Sequence, residues 1–259
     1  MSDFSINGVS LAQAMGRVKA APSDAVLRIG LFRLFTFTGQ WARALTQLET
    51  AAQLDASQAM YLSAYESCLA CEGVREAMVG GTTSPVFLGE PSQWQAMLLQ
   101  AFRTDGETAK IPLIMEALEA APATAGSLNG EAFDWISDVD HRFGPQLEAF
   151  IDGKYYWIGF DRLERIRFND RTDLIDLVWL PVEFVFRGGG SKSGYLPARY
   201  PSSNQSPNEE VIRGEVTEFT DVGDQLQIAI GARQLATSDS AVPLSQITEL
   251  VFHDPTVAP

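Results

Sequence analysis

Between residue 25 and about residue 120 the apolar side chains recur at the helical period. From Trp41 the stripe runs through Ala44, Leu45, Leu48, Ala51 and Ala52, the i, i+3, i+4, i+7 spacing that lays one face of a helix on a core. Trp94, Met97, Leu98, Ala101 and Phe102 repeat it, as do Ile111, Ile114, Met115 and Leu118. A long helix is predicted from about 58 to 79, broken by "GGTTSPVFLGEPS". At "APATAGSLNG" (121–130) small and turn-forming residues take over and the helical period does not resume. "LEAFIDGKYYWIGF" then sets two apolar runs around Asp152-Gly153, a dipeptide suited to a two-residue hairpin turn because both positions tolerate positive φ. "RIRFND", "LIDLVWLPVEFVF", "LQIAIGARQLAT" and "ITELVF" continue as β-rich runs. The pattern predicts an α+β chain, with a helical domain over 1–125 and a β-rich domain over 126–259. The loop "YPSSNQSPNEE" (200–210) is expected to be mobile.

A repeat emerges when "GQWARALTQLETAAQLD" (39–55) is set over "GETAKIPLIMEALEAAP" (106–122), 67 residues on. Ala44, Leu48 and Ala51 then match Ile111, Met115 and Leu118. The separation is close to two periods of the roughly 34-residue tetratricopeptide unit. Gly39 is expected to end the preceding helix, and Pro112 to sit in the first turn of its own. Stacked helix pairs of this kind leave a groove suited to an amphipathic helix. Two alternatives stand beside it: chance likeness of two amphipathic helices, and a groove filled by the chain's own "VSLAQAMGRV".

Composition narrows the partners. The 259 residues are 46% hydrophobic, enough for a sizeable core. No run reaches the ~18 apolar residues of a membrane span, and no basic segment followed by an apolar block opens the chain; a cytoplasmic protein is expected. The net charge of -14 disfavours nucleic acid and anionic membranes. Residues 1–130 hold 8 basic and 12 acidic residues and 131–259 hold 11 and 21, a split of -4 and -10, so a basic partner suits the second half better. The densest basic stretch interleaves Arg162, Arg165, Arg167 and Arg171 with Asp161, Glu164 and Asp170. Cys68 and Cys71 fall inside a predicted helix without the strand that precedes thioredoxin-like motifs, and only His141 and His253 could complete a zinc site. Two buried thiols are the expectation.

Candidate chemistry concentrates in "FDWISDVDHRFGP" (133–145), where Asp134, Asp138 and Asp140 meet His141-Arg142. Asp138 and Asp140 could open a calcium loop, but Arg142 and Phe143 stand at positions five and six and Ala149 at position twelve. A hydrolase using the Asp138/Asp140 pair is the enzymatic alternative, since residues two apart on a strand share a face. No Gly-x-Ser-x-Gly or His-Glu-x-x-His motif accompanies them. "RGGGSKSG" (187–194) lacks the glycine before Lys-Ser and the helix of a phosphate loop, which leaves a hairpin loop. No catalytic, metal-ligating or cofactor-binding residue is assigned, no cofactor is expected, and the carboxylates are read as turn-capping groups with Arg142 as a partner.

The ordered set of motifs resembles the ImpE/TagJ (SciE) accessory proteins of bacterial type VI secretion. The stretches that carry it run from "GQWARALTQLETAAQLD" through "YESCLACEGVREAM", "LGEPSQWQAML", "DLIDLVWLPVEFVF" and "YLPARYPSS". The most specific is an aromatic-x-Trp ending at Trp135, an Asp-x-Asp at Asp138 and Asp140, and an Arg-x-Gly-Pro of Arg142, Gly144 and Pro145, followed by the Asp-Gly hairpin. The resemblance implies a tetratricopeptide-like domain joined to a β-rich one and a non-catalytic adaptor. Its implied partner is the N-terminal helical segment of the small sheath subunit, with the ClpV ATPase reached indirectly. It carries over no partner-contact residue.

Overall fold

The structure is a computed structural model that describes residues 4–223 and 226–253; the outermost residues of both expected domain ranges lie outside them. Six helices dominate the first 120 residues: α1 (Leu11–Ala20), α2 (Ala25–Phe37), α3 (Trp41–Leu54), α4 (Ala59–Val79), α5 (Gln93–Arg103) and α6 (Glu107–Ala120). Their starts follow local chemistry. Ser10 and Gln13 form a capping box on α1, and the Asp24 carboxylate accepts the Val26 and Leu27 amides at the head of α2. At Gly39, φ +68°, the Gln40 and Gly39 amides bond back to the Phe35 and Thr36 carbonyls. That is a Schellman stop, and it turns α3 back on α2 as expected.

The repeat needs two corrections. Ala44, Leu48 and Ala51 are fully buried on α3, but their partners on α6 are not the residues 67 positions on. Met115 is 36% exposed, whereas Ile114 and Ala117 are buried, so the buried faces of the two helices match at a spacing one residue shorter. Pro112 also sits inside α6 rather than in its first turn. It lies on the exposed side, where water can satisfy the carbonyl its missing N–H leaves free.

The strands are β1 (Ser5–Ile6), β2 (Val9–Ser10), β3 (Val86–Phe87), β4 (Gly126–Leu128), β5 (Glu131–Phe133), β6 (Ile136–Asp138), β7 (Gln146–Ile151), β8 (Lys154–Gly159), β9 (Leu163–Phe168), β10 (Trp179–Phe186), β11 (Ser191–Pro197), β12 (Thr217–Val222), β13 (Leu226–Gly231), β14 (Gln234–Thr237), β15 (Ala241–Pro243) and β16 (Glu249–Phe252). Nine of them form one sheet in the order β3-β8-β7-β11-β10-β9-β16-β4-β5. The chain is therefore α+β, helices first and sheet after. The Asp152-Gly153 turn joins β7 to β8 with both residues at positive φ, and the glycine-rich 187–190 segment turns β10 into β11. An unexpected strand, β3, leaves the helical half and pairs in parallel with β8 at the sheet edge.

The sheet has two unlike faces. Leu147, Ala149 and Ile151 of β7, Ile158 of β8, and Leu180, Val182 and Phe184 of β10 join Leu235 and Leu250 in an apolar core. The opposite face turns Phe150, Tyr155, Trp157 and Trp179 to the helices and shares a core with Phe32, Leu48, Leu69 and Leu98. The 200–210 loop, expected to be mobile, is built into this arrangement. Tyr200 and Ser203 are buried, the Gly231 amide donates to the Ser203 hydroxyl at 2.8 Å, and Asn208 caps the short helix α7 (Glu209–Arg213). Its polar composition serves internal hydrogen bonds rather than solvent.

Candidate functional site

A stripe of α4, Cys68, Leu69, Cys71, Glu72 and Arg75, is buried against the sheet. Opposite it, β7 alternates, so Gln146, Glu148 and Phe150 share the side away from Leu147 and Ala149. The two elements meet as charge on charge. Arg75 Nε and Nη2 donate to the two Glu148 oxygens at 2.9 and 2.8 Å, a bidentate pair. Arg75 Nη1 reaches Glu72 at 3.3 Å, Glu72 takes the Trp179 indole N–H at 2.9 Å, and Arg75 Nη2 also donates to the Arg199 carbonyl at 2.8 Å. Glu148 accepts further from Arg233 and from the Tyr155 hydroxyl, which in turn takes the Trp157 indole N–H at 2.7 Å.

Arg233 extends the network to the signature turn. Its guanidinium lies 4.7 Å from the Phe143 ring centroid and 5.1 Å from that of Tyr200. Its Nε faces Asp138 Oδ2 at 3.2 Å, an ion-pair contact not aligned as a hydrogen bond, and neither atom has another partner. Asp138 Oδ1 is better served, accepting the Tyr200 hydroxyl at 2.7 Å and the Asp140 amide at 2.9 Å. Asp140 binds Arg142 and accepts the Ala229 amide at 3.0 Å, and His141 Nδ1 accepts the Gln227 amide at 3.0 Å. The turn thus clasps β13. The Asp138 amide bonds the Gly144 carbonyl at 2.9 Å to close it, and at Gly144, φ +63°, a Cβ would meet Leu118 Cδ2 at 2.9 Å. Glycine there lets α5 and α6 rest on the turn.

The two buried carboxylates titrate in opposite directions. Burial works to raise the Glu148 pKa, but the adjacent Arg75 and Arg233 overcome it and hold the group at about 2. At Asp138 burial dominates over Arg233, with Asp140 adding to it, and the pKa is pushed up to about 7. Burial lowers Arg199 to about 10; it donates to the Phe37 and Ile212 carbonyls. Cys68 and Cys71 are free buried thiols, and burial pushes Cys71 up to about 12.

Of the signature residues, Asp138, Asp140 and Gly144 are buried, Arg142 is tied to Asp140, Pro145 lends its carbonyl to the Phe160 amide, and Trp135 alone stands 42% exposed. The Asp138 and Asp140 side chains expose none of their surface. They offer no open carboxylate to a substrate and act as internal acceptors. Among the described residues no group of three His, Cys, Asp or Glu side chains could hold a metal ion. Sequence reasoning missed Arg75, Glu148, Tyr200 and Arg233. The signal for Arg75 was its place on the apolar stripe with Cys68, Cys71 and Glu72, where a solvated arginine does not belong.

The family profile described as ImpE protein matches residues 130–251. The chain is 38% identical over 245 residues to the type VI secretion system accessory component TagJ of Pseudomonas aeruginosa, across 93% of this chain and 85% of that protein. Its fold is that of protein VPA1032 from Vibrio parahaemolyticus, whose crystal structure superposes with a TM-score of 0.86 at 22% identity, covering 94% of this chain and 92% of that one. The extent of the match to TagJ, which takes in the helices, the signature turn and the sheet together, places this chain in the ImpE/TagJ family of type VI secretion accessory components.

Proposed function

We propose that the chain is a non-catalytic cytoplasmic adaptor of type VI secretion that binds the N-terminal helical segment of the small sheath subunit and so influences sheath assembly or recycling, meeting the ClpV ATPase only indirectly. In this reading residues 1–125 bind the segment and residues 126–259 form the platform that holds them. The signature residues Asp138, Asp140, Arg142, Gly144 and Pro145 brace the two parts, Trp135 stands exposed beside them, and none of the six carries chemistry.

The observation that supports it most directly is an open cleft of about 390 Å³ over α1 to α3. Met15, Val18, Leu31 and Phe35 line it together with Lys19, Thr46 and Gln47; Met15 is the exposed apolar side chain, and the Arg43 guanidinium lies 4.1 Å over the Phe35 ring, so an incoming helix would displace Arg43 from it. The N-terminal segment covers part of α2, burying Ala14 and Val18, and leaves this cleft beside it. An amphipathic helix supplies anchors at i, i+3, i+4 and i+7 to such a cleft. Titrating the sheath subunit's N-terminal peptide into the protein at about 50 and about 500 mM salt is the test, since screening weakens exposed ion pairs and spares apolar burial. Near-equal affinities, both reduced by Met15→Ala, are expected, since Met15 lines the cleft and is exposed. Binding that collapses at high salt would move the contact to the acidic half, and no binding at either salt would end the proposal.

A further inference from the structure

The β12–β13 hairpin carries a feature that the helical cleft does not involve. In β13 the amides of Gln227, Ala229 and Gly231 point away from β12, donating to His141 Nδ1, Asp140 Oδ2 and the Ser203 hydroxyl. The register pairs Asp221 with Gln227, Phe219 with Ala229 and Thr217 with Gly231. In an antiparallel ladder a residue and its direct partner turn their N–H and C=O groups to the same sides relative to the pair, toward each other or both away. The backbone groups of Phe219 and Asp221 therefore face outward, and among the described residues none of them has a hydrogen-bond partner.

This is an open sheet edge of unusual kind. Of the other terminal strands, β1, β2, β3, β5, β6 and β15 are two or three residues long, the short format that protects an edge from pairing, and the far side of β13 is taken by His141, Asp140 and Ser203. β12 runs for six residues without proline, and Phe219 is 46% exposed on it. Its charge has one sign. From Gly214 to Gly231 the sequence has no Lys or Arg, while Glu215, Glu218 and Asp221 are acidic. Glu218 and Asp221 take neutral partners, Asn208 and Gln227, rather than cations. A second copy of β12 would gather more acidic side chains into the same sheet with no Lys or Arg among them, a like-charge repulsion that disfavours self-pairing. A lysine- or arginine-bearing strand would not meet that repulsion.

We propose that the outer edge of β12 is a docking site for an extended basic segment of a partner protein, added as an extra antiparallel strand and held by the Phe219 and Asp221 backbone groups with Glu218 and Asp221 as charge complement. The signature turn has a part in this, because Asp140 and His141 occupy the inner edge of β13 and leave β12 as the open side.

The test uses the full chain and a labelled lysine-valine peptide of about six residues, a repeated Lys-Val-Val whose lysines three apart fall on opposite faces as Glu218 and Asp221 do. Binding with protection of the Phe219 and Asp221 amides from hydrogen exchange is expected. Phe219→Pro removes one outward N–H and spares the ladder to β13, which runs through Glu218, Thr220 and Val222. It should weaken binding by about tenfold or more, the scale of one to two lost hydrogen bonds, with the thermal midpoint little changed. A repeated Glu-Val-Val peptide, and a lysine-valine peptide N-methylated at alternate amides, should both fail. Binding that survives Phe219→Pro or N-methylation would overturn the proposal, as would no binding of the lysine-valine peptide or sedimentation showing a dimer that Phe219→Pro dissolves.

Discussion

The two faces of the nine-stranded sheet solve the same packing problem with opposite materials. One face is apolar, built from Leu147, Ile158, Leu180, Val182 and Leu250 with Phe160, Phe184 and Phe252, and with Tyr156 at its margin. The other receives the helices and buries Glu72, Arg75, Glu148, Arg199 and Arg233 among Trp157, Trp179, Tyr155 and Tyr200. Apolar burial is non-directional and tolerates many arrangements. A bidentate arginine pair admits one geometry, and a misdocked helix would leave its charges buried and unpaired. The contrast suggests a division of labour: the far face supplies driving force, and the near face fixes how α4 seats on β7.

Removing one partner of the near-face network should give the largest effect. Glu148→Gln keeps the volume but strands Arg75 and Arg233 without their shared carboxylate. A loss of roughly 3–5 kcal/mol in denaturant unfolding is expected, the range for breaking a buried pair. The near-ultraviolet signal of Trp157 and Trp179 should also change before unfolding, because both indoles are tied into the same network. Native-like stability would mean that water already serves these guanidinium groups.

Leu180→Ala makes the matching cut on the far face. A loss of about 3 kcal/mol is expected, from lost transfer energy plus the cavity left behind. The tryptophan signals should persist until the cooperative transition. If the two variants instead behaved alike in both readouts, the faces would not differ in role.

How much of this was legible beforehand follows from the same contrast. Helix periods, the Asp152-Gly153 hairpin and the Gly39 stop are written within short windows, so local propensity and turn chemistry reveal them. The alternation in "QLEAFI" is equally local, but it suggests that Gln146 and Glu148 face water. The structure turns them to α4, and nothing near Glu148 says that Arg75, 73 positions earlier, will meet it. Asp138 is read from the sequence as a turn-capping group, and its Oδ1 accepts the Asp140 amide two residues on. Its pairing with Tyr200 and Arg233 depends on strands that close only in three dimensions. The same blindness made the 200–210 loop look mobile.

The pH dependence sharpens the comparison within the near face. Asp138 is raised to about 7 from an unfolded value near 4. Between those values the folded chain keeps a proton that the unfolded chain has released, so this group's contribution falls as pH rises from about 4 to about 7. Glu148, held at about 2, contributes fully above its unfolded value of about 4.3, and that contribution is lost as pH falls through about 2. Asp138→Asn imitates the protonated form. It should cost little at pH 5 and flatten the decline between pH 5 and 7, read from unfolding midpoints at each pH. An unchanged slope would assign that decline to another group.

The smallest effect belongs to Trp135, the signature residue that neither face of the sheet claims. Its ring is 42% exposed and lines an open groove of about 480 Å³ with Leu118, Pro122, Val139 and Pro145. Surface substitutions away from buried features usually stay within about 0.5 kcal/mol, and Trp135→Ala should do the same. Asp138 and Asp140, a few positions along the same turn, are buried acceptors whose loss reaches the core. A stability loss above about 1 kcal/mol for Trp135→Ala would show that the exposed ring braces α6 against β6, and the whole signature would then be structural. With stability intact, any loss of partner capture by Trp135→Ala is a contact effect. That outcome would divide the signature into a buried part that holds the turn and an exposed part that meets a partner.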